Sequence, residues 1–101
     1  MPEFVLLMRS DVEDRAKADD DLAWSHYMTR IRRSGALRGG SSIGQGFAFR
    51  KDSAPQHAQL GIEGYITIQA ASLDEARRFV EGNPNYEAGG TVEVRELPSG
   101  P

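Results

Sequence analysis

Hydrophobic and polar positions follow two periods along the chain, and the changes of period mark its elements. Phe4-Val5-Leu6-Leu7-Met8 is a short continuous apolar run. It reads as a strand covered on both faces, although its length alone does not separate strand from buried helix. From Leu22 to Ser34 the period becomes helical. Ala23, Tyr27 and Ile31 make one stripe, and Trp24 and Met28 adjoin it as packing residues. Gly35 ends this helix, because glycine accepts a left-handed cap at no steric cost. The acidic segment Asp11 to Asp21 ahead of it reads as a loop and then the helix's first turn, where carboxylates meet the positive end of the helix dipole.

The second half repeats the theme more sharply. Tyr65 to Gln69 is rich in β-formers and bounded by Gly64. Ser72 and Glu75 form a capping box, each side chain able to take an orphan N–H. Leu73, Ala76, Phe79 and Val80 follow at helical spacing, and Gly82 and Pro84 are expected to stop that helix. After Gly89-Gly90, Thr91 to Glu96 alternate as a last strand. Between the halves, Ala36 to Arg50 reads as two strands or one bent hairpin, with Phe47-Ala48-Phe49 extended. Lys51 to Gln59 reads as a polar loop, and Pro98 to Pro101 as a tail.

The resulting order is β-α-β-β-α-β. It predicts an α+β, ferredoxin-like fold, an antiparallel sheet with both helices on one face. Residues 1–97 then form one domain, as a length of 101 residues implies. The apolar first strand calls for something to cover the other sheet face. A second copy is the simplest candidate, so a homodimer through the sheet face is expected.

Composition narrows the function. A formal charge of −3 gives no basis for binding nucleic acid, which needs clustered cations. Arg30, Arg32 and Arg33 sit together beside acidic residues and read as a solvated helix face. No cysteine is present, which removes disulfides, thiolate nucleophiles and cysteine-bound metals. No apolar run reaches the ~20 residues of a membrane span, and the start Met1-Pro2-Glu3 lacks the features of a signal peptide. A cytoplasmic protein with neither a membrane nor a nucleic-acid partner is the expectation.

The chemistry-bearing motifs are few. Gly40-Ser41-Ser42-Ile43-Gly44 matches G-x-S-x-G in letters, but a nucleophile elbow needs a strand before it and a helix after it. The same stretch fails as a phosphate loop, because Gln45 stands where lysine is required. It reads as a sheet bend. His26 and His57 are the only histidines and have no ligand-spaced partners, so no metal and no cofactor are expected. His57 falls in the polar loop and reads as solvated. His26 lies on the first helix beside the apolar stripe. Its ordinary reading is a surface or satisfied structural histidine, yet an imidazole there is suited to proton transfer near neutral pH.

Gly64-Tyr65, Ser72-Leu73-Asp74-Glu75-Ala76, Asn83-Pro84, Glu87-Ala88-Gly89 and Val92-Glu93-Val94 together resemble the C-terminal half of the YCII-related domain, the superfamily that includes the "DGPF" proteins. The N-terminal half agrees in outline. The resemblance implies a dimeric α+β barrel with a small-molecule pocket, and activities such as isomerisation or dehalogenation of small cyclic compounds. It implies a histidine on the first helix, matched by His26, paired with an aspartate just before a proline after the second helix. Here that second position is Asn83. Asparagine can orient an imidazole but cannot stabilise an imidazolium as a carboxylate does. Glu87 could supply a substitute carboxylate, with a surface turn residue as the plainer reading. Tyr65 and Thr67 share a strand face that could line a pocket if it meets a partner subunit, with an interface role without a ligand as the equal alternative. The "DGPF" motif itself is absent. Three functions stay open: an acid/base enzyme using His26, a non-catalytic binding module, and a dimeric interaction protein.

Overall fold

A computed structural model describes residues 1–58 and 61–99. Four strands form the main sheet: β1 (Glu3–Arg9), β2 (Leu37–Ser42), β5 (Ile62–Gln69) and β6 (Val92–Leu97), in the order β2-β5-β1-β6. All neighbours are antiparallel. Numbered by their place among these four, the strands run 2-3-1-4, the ferredoxin-like order. The fold class read from the sequence holds.

Register places Leu6 opposite Ile66 on one side and Val94 on the other. Because strand side chains alternate, Phe4, Leu6, Met8, Ile66 and Ile68 share one face, and all are buried. Helix α2 (Asp21–Ser34) lays Tyr27 and Ile31 onto that face. Full burial of side chains such as Leu6, Ile31 and Ile68 contributes about 1.5–3 kcal/mol each. Both ends of α2 are capped, the C-terminal one by the glycine expected there. The Asp20 carboxylate accepts from the N–H groups of Leu22 and Ala23 at 2.9 and 3.1 Å, and Gly35 takes φ +81°.

Four readings need correction. The acidic segment is not merely a loop leading into α2. It holds a separate turn of helix, α1 (Arg15–Ala18), capped by Asp14. The polar stretch before Gln59 is not all loop, because β3 (Phe47–Ala48) pairs with β4 (Gln56–His57); Gln59 itself lies outside the described residues, as do Gly100 and Pro101 of the tail. The second helix is short. Ser72 caps α3 (Leu73–Ala76), a 3-10 turn follows over Arg77–Phe79, and Leu73 is exposed rather than in the core.

Finally, Pro84 opens a helix instead of stopping one. It is the first residue of α4 (Pro84–Glu87), where proline's missing N–H costs nothing. Asn83 is the cap, its Oδ1 accepting from Asn85 and Tyr86 at 2.9 and 3.2 Å.

Tyr27 ties the two helical segments together. Its hydroxyl donates to the Phe79 carbonyl at 2.5 Å, and Trp24 packs edge-on against its ring. Burial pushes the Tyr27 phenol above its ordinary pKa, with Asn83 and the Arg30 charge pulling the other way. The folded state therefore keeps this proton after the unfolded state has released it near pH ~10. Tyr27's contribution is complete below that pH and falls as pH rises towards its folded value. Tyr27→Phe is expected to cost about 1–3 kcal/mol at neutral pH, because it leaves the Phe79 carbonyl unpaired. Urea unfolding of both proteins from pH 8 upwards should show the gap between them narrowing above pH ~10.

Candidate functional site

A cavity of about 440 Å³ lies between the helices α1 and α2 and the β2-β5-β1 side of the sheet. One wall is apolar and comes from Met8, Trp24, Met28 and Ile66. The other is polar, with Arg15, Glu63 and Asn85 at its centre and Ser41 and Ser42 at the β2 edge.

Glu63 owes its position to a break in the strand register. Met8 pairs with Gly64, but Arg9 pairs with Ile62, so Glu63 is an extra residue between two paired ones. A bulge of this kind re-aims a side chain, and here the carboxylate turns to the cavity. The Arg15 guanidinium meets it two-pronged, Nη1 to Oε2 at 3.1 Å and Nη2 to Oε1 at 2.8 Å. Asn85 Nδ2 donates to the same Oε1 at 2.6 Å. Asp19 adds a longer contact to Arg15 at 3.4 Å. Two carboxylates against one guanidinium leave this end of the cavity formally negative. The cluster also stitches α1, β5 and α4 together.

The apolar wall is equally fixed. Trp24 Nε1 donates to the Ala18 carbonyl at 2.6 Å, locking the indole over the end of α1. At Gly40 on β2 any side chain is excluded, since a Cβ would lie 2.7 Å from the Tyr65 carbonyl oxygen.

The residues expected from the sequence fall in different places. Tyr65 is among the residues around the cavity, but it alternates with buried Ile66, so its side chain faces the side of the sheet away from the helices. His26 is exposed and does not line it. Helical geometry gives the reason. At 100° per residue, position 26 points about 180° away from the mean direction of Trp24 and Met28.

Asn83 is fully buried, but its neighbours are Tyr27 and Met8, whose sulfur receives Nδ2 at 3.4 Å. No hydrogen bond joins His26 to Asn83 among the described residues, so the expected pair is not assembled. Glu87 accepts from the Gly82 N–H at 3.0 Å and serves the turn. His57 is exposed, as expected, but stacks on Phe47 with ring centres 4.9 Å apart. The G-x-S-x-G letters run along β2 and out of it, with no helix after them. Among the described residues no three histidine, aspartate or glutamate side chains converge as a metal set.

Sequence reasoning missed Arg15, Glu63 and Asn85. A lone arginine at the start of a helical turn inside an acidic run was the one available signal, and its partner lies 48 residues away.

These features define a small α+β protein of ferredoxin-like topology with a bulge-built cavity beside its helical layer. The chain belongs to the YCII-related domain family, whose model matches residues 4–98. Among solved structures it is similar to the 5-chloro-2-hydroxyhydroquinone dehydrochlorinase of Burkholderia phenoliruptrix AC1100, solved in complex with 2,5-dihydroxybenzoquinone. The TM-score is 0.60 at 16% identity, over 97% of this chain and 95% of that one. At that identity the likeness speaks to the fold. No curated protein matches the sequence.

The Arg15 side chain is 50% exposed and that of Glu63 26%, so their pair is partly screened. A double-mutant cycle with Arg15→Ala and Glu63→Ala is expected to give a coupling of about 1 kcal/mol, weakening as salt is raised. Denaturant unfolding of the four proteins at two salt concentrations measures it.

Proposed function

We propose that this protein takes a small cyclic molecule into the cavity and moves a proton on it through Glu63. The observation that carries the reading is a carboxylate aimed by a bulge into a cavity and held there by Arg15 and Asn85, opposite an apolar wall that suits a ring. Membership of the YCII-related family supports it, and so does the fold shared with a dehydrochlorinase. Loss of HCl from a ring needs a group to accept the proton, and isomerisation of a ring needs one to accept and return it. Neither requires a redox cofactor. The dehalogenase-like and isomerase-like reactions are therefore the classes to test. His26, on the far side of α2, has no part in this chemistry.

A second reading is binding without turnover. It draws on the occupancy of Glu63, whose two oxygens already accept three donors from Arg15 and Asn85. The homodimer belongs to the same proposal. Val5, Leu7, Tyr65 and Thr67 are half-buried on the sheet face away from the helices, and a second copy laid on that face would cover them.

Trp24 is the sole tryptophan and lines the cavity, so its fluorescence reports occupancy directly. Titration with chlorinated hydroxyhydroquinones and small lactones is expected to give a saturable change, with chloride release or a rearranged product following. Glu63→Gln should bind with similar affinity but lose at least about 100-fold in turnover. His26→Gln should keep both. Full turnover by Glu63→Gln would remove the proposed base. Saturable binding with no product from the wild type would establish the second reading.

A further inference from the structure

Strand β2 does not turn straight back into β5. The chain leaves the sheet edge at Ser42, and every residue from Ser41 to Ala58 is exposed. Within this excursion β3 and β4 pair only with each other, among the described residues, and Ala58 N–H closes the ribbon onto the Gly46 carbonyl at 2.9 Å. The body of the molecule is two layers thick, 18 Å along its shortest axis. Its radius of gyration is 14.9 Å, against about 13 Å for a compact domain of this length. The ribbon is an arm.

Such an arm is physically incomplete. A lone two-stranded ribbon is marginal in water, because neither face is covered. This one also carries large apolar side chains in the open: Ile43 at 42%, Phe47 at 58% and Phe49 at 78% exposure. Clustered exposed aromatics mark a contact surface.

We propose that the arm clasps a second copy of this chain. Phe47 and Phe49 pack on that copy, and the cationic tip Arg50-Lys51 lies against its 11–21 segment. Charge identifies the occupant. The 11–21 segment has six carboxylates against two cations, with Asp19, Asp20 and Asp21 exposed, while the arm from 43 to 58 has two cations against one carboxylate. Copies of a chain with net charge −3 repel at long range, so a stable contact must set opposite patches together. This chain carries both patches, and a two-fold axis would satisfy each twice. The inference rests on the homodimer proposed above and adds a contact to it.

Sedimentation equilibrium on the full chain decides both points separately. The wild type is expected to be a dimer. Phe47→Ser with Phe49→Ser should raise its dissociation constant at least about tenfold, as for buried aromatic anchors. The melting temperature of the diluted monomer should move little, because within their own chain these side chains touch only the ribbon, where Phe47 stacks on His57, and not the core. Arg50→Glu with Lys51→Glu should weaken the dimer and flatten its salt dependence, and Leu7→Arg on the sheet face should weaken it independently of the arm. A wild-type dimer whose affinity the arm variants leave unchanged overturns the clasp and keeps the sheet-face dimer. A wild type that stays monomeric well above micromolar concentration overturns both.

Discussion

The packing of α2 on the sheet is the constraint from which the rest of the structure follows. Tyr27 and Ile31 must lie on Phe4, Leu6, Ile66 and Ile68, since these are large side chains of the buried core cluster. Once that stripe is down, the azimuth of every other α2 residue is fixed. Trp24 and Met28 turn to the cavity, and His26 turns to solvent. The Tyr27 hydroxyl reaches the Phe79 carbonyl and thereby pins the short second helical segment. One contact surface thus places both the core and the cavity wall.

The polar wall is built on different physics. A carboxylate and a guanidinium from segments 48 residues apart meet because a single extra residue in β5 changes which way a side chain points. Asn85 joins them from a third segment, itself positioned by the cap that Asn83 supplies to α4. Asn83 therefore serves the site through the backbone it orders. A family-based pairing of His26 with Asn83 overlooks this, because it reads position in the sequence and not direction around a helix.

The arm shows a third regime. Its sequence, apolar at Phe47-Ala48-Phe49 and polar beyond Arg50, suits a strand and a loop equally well. It forms a ribbon whose described residues are all exposed and lie outside the core of their own chain.

The sequence by itself determined the element order, the ferredoxin-like class, the core stripe of α2 and the caps at Gly35 and Ser72. These features are local: they depend on periodicity and on hydrogen bonds within a few residues. It also carried enough of the family's words to be placed. Tertiary structure alone decided that Glu63 is a bulge residue, that Arg15 and Asn85 hold it, that Pro84 starts a helix, and that His26 faces away. Each of these depends on strand register or on the rotation of a helix against the sheet. A one-residue change in register reverses the face on which a side chain lies, and no local pattern encodes that choice.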